Sequence, residues 1–342
     1  MTGIFGSMRR RRRSRISSVS IDVPLVRWLG PIATVVTIVV LAGFLMSGRI
    51  NLSSLDGIGS SDALAADSKV DLTPVGFGDN GKSNETIRVA TIALEGFADA
   101  TLVAPEQIRL LARILAQFDV VAVQGIDGGD ATPIRDAVEK MTASGGDYGV
   151  NISKPVGRRG QFQSYAFVWD KSRIAAVPDS IGVVNDEADR MLFEPMYGSF
   201  ETRIGFTDGR RPLRFTLINA RAIPPSRDRP SGELAVLDDV FVSVRNFTYE
   251  TQGDEDCIMV GDLGVGPGRL GELGMIPGVE SIVNREGLRQ HILLDPKFTA
   301  EFTGRSGTFD FAAQFGVSPE AAMLVTRQMP MWIELAADEA PR

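Results

Sequence analysis

The sequence predicts a mixed α/β (α+β) domain whose sheets are covered on their outer faces by helices, preceded by one transmembrane helix. Two observations carry this. Short β-branched runs alternate with segments of helical periodicity along most of the chain. Ahead of them, residues 28–48 (WLGPIATVVTIVVLAGFLMSG) run without a charge, long enough at about 1.5 Å per residue to cross a hydrocarbon core of about 30 Å.

The elements follow in order. Residues 1–27 hold seven arginines against one Asp, and this excess before the span keeps the N-terminus cytoplasmic and places the rest outside the cytoplasm, periplasmic or extracellular. Ala63-Leu-Ala-Ala66 has the small residues of a cleavage site, but it lies far beyond the apolar run, so an uncleaved anchor is expected. Residues 49–86, rich in Gly, Ser, Asp and Asn, read as a flexible linker. Residues 87–337 read as the folded domain, and 338–342 as a tail.

Within the domain, Ile87–Leu94 is a strand. Pro105 opens a helix that presents Ile108, Leu111, Leu115 and Phe118 on one side. The run Phe118-Asp-Val-Val-Ala-Val-Gln-Gly-Ile126 is a buried strand that ends in glycine. A helix at 132–142 and strands at 164–169 and 213–219 follow. A helix at 233–247 is expected to bury Leu234, Leu237, Val240, Val244 and Phe247, and strands are expected at 257–262, 290–294 and 331–335.

Counting excludes several chemistries. Cys257 is the only cysteine and His291 the only histidine, so one chain forms no internal disulfide, no thiolate zinc site and no mechanism that needs two imidazoles. With a net charge of −7 overall and +6 in residues 1–27, the remainder carries −13. That balance disfavours nucleic-acid binding. Gly266-Pro-Gly-Arg-Leu-Gly271 fits G-x-G-x-x-G, yet Pro267 removes an N–H from any phosphate cradle and Pro277 cuts the following helix short, so an ordinary loop is expected. Cys257 reads as a small core residue. Asn246-Phe-Thr248 matches a glycosylation acceptor but falls in the predicted helix.

The order of motifs from Ile87 to Leu335 resembles the endonuclease/exonuclease/phosphatase superfamily, the fold of deoxyribonuclease I. The matching pieces are Ile87-Arg-Val-Ala-Thr-Ile-Ala93, Phe118-Asp-Val-Val-Ala-Val-Gln-Gly-Ile126, Ser164-Tyr-Ala-Phe-Val-Trp-Asp170, Phe193-Glu-Pro195, Leu217-Ile-Asn-Ala-Arg221, Glu233-Leu-Ala-Val-Leu237, Val260-Gly-Asp-Leu-Gly264 and Gln328-Met-Pro-Met-Trp-Ile-Glu334. The resemblance implies two packed mixed β-sheets with helices on both outer faces, a four-layer sandwich. It also implies hydrolysis of phosphoric esters by a divalent metal, usually Mg²⁺, held by carboxylate and amide side chains, with two histidines serving the phosphoryl group.

The chain departs from that pattern at nearly every reactive position. Ala93 stands for the asparagine that ends the first strand, and Gly125 for the metal-binding glutamate. Gln163 replaces an acid, Phe193 an arginine and Arg221 a histidine. Gly264 replaces an amide, Gln290-His291 an Asp-Asn pair and Thr326-Arg327-Gln328 the closing Ser-Asp-His. Asp262 alone is retained. The resulting expectation is a membrane-anchored, catalytically inactive binding or scaffolding module with no cofactor and no metal site. Its candidate anion pocket comprises Arg221, Asp262, His291 and Arg327, although those arginines could instead pair with Asp262 and fill the cation's electrostatic role. The alternative is a metal-dependent phosphodiesterase, nuclease or phosphatase with a remodelled site, for which Mg²⁺ would be required.

Overall fold

The computed structural model describes residues 69–77, 81–94, 103–158, 160–205, 209–224, 233–283 and 287–339. The basic segment 1–27, the expected span 28–48, most of the linker and residues 340–342 lie outside them. Among the described residues no helix is long and apolar enough to cross a membrane.

Among the described residues, fourteen strands form two seven-stranded sheets. The first sheet contains β1 (Thr86–Ala93), β2 (Val120–Asp127), β3 (Tyr148–Ile152), β4 (Val156–Arg158), β5 (Gln161–Asp170), β13 (Phe302–Thr308) and β14 (Met331–Ala336). Its order is β13-β14-β1-β2-β5-β3, with β4 also on β5. The second contains β6 (Ile174–Ala176), β7 (Gly182–Val183), β8 (Met196–Thr202), β9 (Arg214–Arg221), β10 (Cys257–Asp262), β11 (Glu280–Ser281) and β12 (Gln290–Leu294). There the order is β11-β12-β10-β9-β8-β6, with β7 also on β8. Each sheet has one central parallel pair, β1 with β2 and β9 with β10, and antiparallel neighbours around it. The parallel pairs need crossovers, and helices supply them: α1 (Pro105–Leu115) joins β1 to β2, and α3 (Leu234–Gln252) joins β9 to β10.

Strand alternation builds three apolar layers. Ile87, Val89, Val120, Ala122, Tyr165 and Phe167 of the first sheet meet Phe200, Phe215, Leu217, Ile258, Val260 and Ile292 of the second. On the outside of the first sheet, Ala90, Ile92, Val121 and Val123 receive Ile108 and Leu111 of α1 and Ile134 and Val138 of α2 (Thr132–Ala143). Two short helices, α4 (Phe311–Phe315) and α5 (Pro319–Met323), add Phe311 and Ala322 to that layer. Leu234, Leu237, Val240, Phe241 and Val244 of α3 cover the outside of the second sheet.

The structure revises three sequence-based assignments. Phe247 is 50% exposed, because the buried stripe runs through Leu234, Leu237, Phe241, Val244 and Thr248 and 247 lies off that line of threes and fours. Part of the expected linker is packed: Val70 is buried and its N–H reaches Ser144 Oγ at 2.7 Å, while Phe77 is ringed by Phe118, Phe309 and Trp332. At the other end Glu339 N–H bonds Arg211 O, so the chain beyond 337 also joins the fold. The Gly266–Gly271 loop becomes two short 3-10 turns, Pro267–Arg269 and Gly271–Met275, which offer no helix N-terminus for a pyrophosphate.

Candidate functional site

The two sheets open into a cleft of about 460 Å³ at the C-terminal ends of β2, β9 and β10, where Asp127, Arg221 and Asp262 are the last strand residues. Phe162, Phe193, Ile223 and Pro224 give it an apolar side, and Arg289 contributes a second cation.

Below the cleft, buried amides tie the sheets together. Gln124 Nε2 donates to Asn219 Oδ1 at 2.6 Å, and Asn219 Nδ2 lies 3.1 Å from both Val123 O and Ala166 O. Thr91 Oγ1 lies 2.9 Å from Gln124 Nε2. All three side chains are fully enclosed, so each polar atom must find a protein partner, and this network provides them.

The end of β2 is not a regular strand position lacking a side chain. Between Val123↔Ala166 and Ile126↔Ser164 the β2 chain carries one extra residue, a bulge. Gly125 sits in it at φ +73°, where a Cβ would lie 3.0 Å from Leu94 O. Only glycine adopts that backbone cheaply. Its N–H is received by Gln163 Oε1 at 3.2 Å.

Arg221 and Asp262 do share the cleft, but they are not paired with each other. Arg221 Nη1 bonds Asp127 Oδ1 at 3.1 Å and Gln163 Oε1 at 3.0 Å, and its guanidinium stands 5.7 Å from the Phe193 ring. The buried Tyr165 hydroxyl accepts the Arg221 backbone N–H at 3.1 Å, and burial pushes that phenol well above its ordinary pKa. Asp262 Oδ1 accepts the Gly264 N–H at 3.0 Å, while Oδ2 accepts from Arg289 Nη2 at 3.1 Å and Gln328 Nε2 at 3.3 Å.

His291 does not belong to the cleft. On β12 the side chains alternate, so Gln290, Ile292 and Leu294 turn inward while His291 and Leu293 turn to the outer face. His291 Nε2 donates to Val265 O at 2.8 Å, which leaves Nδ1 to accept from Ser281 Oγ at 3.2 Å. Burial lowers its pKa, in keeping with a neutral imidazole serving as a core residue. Arg327 is also elsewhere, exposed on a depression shared with Phe311, Pro319, Met323 and Met329. Sequence reasoning missed Asp127 and Arg289. Each stands one residue from a position it did single out, Ile126 and Gln290, and strand alternation alone did not say which neighbour would reach the cleft.

Mg²⁺ requires several hard oxygen ligands in near-octahedral array. Among the described residues no three of His, Cys, Asp and Glu are grouped to hold a metal. The oxygens of Asp262 are already engaged by three donors, two of them on Oδ2. The donor set does not fit the cation that the resemblance implies.

No family model matches the chain. Among characterised proteins it is 34% identical over 94 residues to a deoxyribonuclease of Thioalkalivibrio, covering 27% of this chain and 25% of that protein. It is 23% identical over 188 residues to human deoxyribonuclease-1, covering 53% and 61%, so it spans less than two thirds of the length of either. With pig deoxyribonuclease-1-like 1 it shares 23% over 274 residues, 74% of this chain and 82% of that one. Similar solved structures include an endonuclease/exonuclease/phosphatase family protein of Leptotrichia buccalis (12% identity, 74% of this chain and 100% of the other, TM-score 0.47). The catalytic domain of human Nocturnin is another (13%, 75% and 94%, TM-score 0.47). The chain is thus similar to deoxyribonucleases over part of its length, and its two mixed sheets carry the strand motifs in the order that the resemblance to the endonuclease/exonuclease/phosphatase superfamily implies.

Proposed function

We propose that this domain is a non-catalytic binding module on the superfamily's scaffold, held at a membrane by residues 28–48 and displayed outside the cytoplasm. The observation that carries the reading is the state of Asp262. The one acid retained at a reactive position of the family is enclosed and bonded to Gly264 N–H, Arg289 and Gln328, where a metal ligand would need free lone pairs. The ligand of the module is an oxyanion group with an apolar body, received by Arg221 and Arg289 beside Phe162 and Phe193. His291 and Arg327 take no part in it.

The test is hydrolysis by the full chain in lipid nanodiscs, assayed on DNA and on a generic phosphodiester with Mg²⁺ or Mn²⁺. No turnover above the protein-free control is expected. Metal-stimulated hydrolysis that disappears in Asp262→Ala would overturn the reading in favour of a remodelled phosphoesterase, the alternative that the open cleft with two arginines supports.

A further inference from the structure

Arg221 on β9, Asp262 on β10 and Gln290 on β12 are register partners across adjacent strands of the second sheet. Each continues the inward-facing set of its strand, Phe215 and Leu217, Ile258 and Val260, Ile292 and Leu294. From the first sheet, Gln163 continues Tyr165 and Phe167 of β5 and bonds Arg221. Gln328, shortly before β14, bonds Asp262. Three glutamines thus stand around the two charged residues at the base of the cleft.

None of the three has its hydrogen bonds complete. Gln163 and Gln290 are 0% exposed. Gln163 Oε1 accepts from Gly125 N–H at 3.2 Å and from Arg221 Nη1 at 3.0 Å. Those two donors fix the orientation of the amide, since reversing it would set its NH₂ against them. Its Nε2 is enclosed with no acceptor in the protein. Gln328 is fixed in the opposite sense: Nε2 donates to Asp262 Oδ2 at 3.3 Å, and Oε1 is enclosed with no donor. Gln290 has neither end bonded. Enclosed polar atoms are ordinarily paired, and leaving them unpaired is costly.

The leftover atoms select the chemistry that matches them. A carboxylate or phosphate oxygen only accepts, so it would serve Gln163 Nε2 and be repelled by Gln328 Oε1. An ammonium group or a metal cation has the converse fault. A hydroxyl both gives and takes, and it is the smallest organic group that does so. The charged side chains lining the cleft cancel: Arg221 lies 3.1 Å from Asp127, and Arg289 lies 3.1 Å from Asp262. A singly charged carboxylate suits that balance better than a phosphate dianion. Phe162, 44% exposed, and Phe193 supply an apolar wall.

We propose that Gln163, Gln290 and Gln328 form a hydroxyl subsite, and that the cleft takes a 2-hydroxy carboxylate with an apolar body. This rests on the cleft being an anion-binding site. The carboxylate is received by Arg221 and Arg289, the hydroxyl by the amides, and the apolar body by Phe162 and Phe193. Entry to the subsite runs past Gln328, the half-buried member of the three, whose bond is the longest on Asp262. An acid without the hydroxyl leaves the amides unpaired, so the subsite discriminates against it.

The experiment is calorimetry on the full chain in lipid nanodiscs with 3-phenyllactate and 3-phenylpropionate, which differ only in the 2-hydroxyl. The hydroxy acid is expected to bind at least about tenfold more tightly. Gln290→Leu, which fills similar space without polar atoms, is expected to bring that ratio near one, and Gln328→Leu serves should Gln290→Leu not fold. A ratio near one in the wild type means that the amides hold water only and overturns the subsite, as does a ratio that survives both substitutions. Binding of neither acid overturns it as well. Inorganic phosphate then separates the two readings: phosphate binding that Arg221→Ala weakens leaves the anion site standing, and its absence removes both.

Discussion

Arg289 Nη2 lies 3.1 Å from Asp262 Oδ2, and that contact sets the character of the cleft. The arginine is half exposed and the aspartate almost wholly enclosed, so the cation reaches in from the rim and neutralises the one acid at the strand end. Gln328 and Gly264 N–H complete its shell. Of the positions that the resemblance singles out, Gln328 is bonded to Asp262 and Arg221 to Gln163.

Truncating that shell separates the roles of its members. Asp262→Ala leaves Gln328 and Arg289 without their acceptor and is expected to cost about 1–3 kcal/mol in urea unfolding. Arg289→Ala removes a partner that is 48% exposed and should cost no more than about 1 kcal/mol. Equal losses from the two would contradict this division.

Restoring the family's glutamate at Gly125 is expected to fail. The +73° backbone and the approach to Leu94 O strain any side chain by about 1–2 kcal/mol, so Gly125→Glu lowers the melting temperature and brings no Mg²⁺ binding. Calorimetry showing stoichiometric Mg²⁺ uptake by this variant would refute the prediction.

Asn219→Ala withdraws the donor from Val123 O and Ala166 O and the acceptor from Gln124 Nε2. With the site fully enclosed, the expected loss is about 2–4 kcal/mol, read from the denaturation midpoint at unchanged slope.

His291 is held neutral, its pKa lowered chiefly by burial. A lowered folded-state value gives stability that is present above the ordinary imidazole range and declines as the pH falls below it, because the unfolded chain takes up the proton first. His291→Leu should flatten that acid limb. It should leave inorganic phosphate or citrate binding unchanged, as should Arg327→Ala, whereas Arg221→Ala should weaken it at least tenfold by calorimetry.

Much of this architecture is written in local pattern. The apolar run from Val120 to Val123, the Pro105 helix start and the strands at 214–221 and 257–262 are decided by neighbours a few residues away, so sequence determined the strands and helices and the order of motifs on which the resemblance rests. It also determined, by simple counting, that one cysteine and one histidine limit the chemistry. What it did not hold were facts that depend on contacts across 20 to 100 residues. Asp262 pairs with Arg289 and Gln328, and Arg221 with Asp127 and Gln163. Strand phase turns His291 away from Gln290, and a bulge turns Gly125 from a missing ligand into a backbone requirement. Pairing, phase and bulges arise only when the two sheets are laid together, because hydrogen bonds and ion pairs act over a few ångströms in space, whatever the distance along the chain.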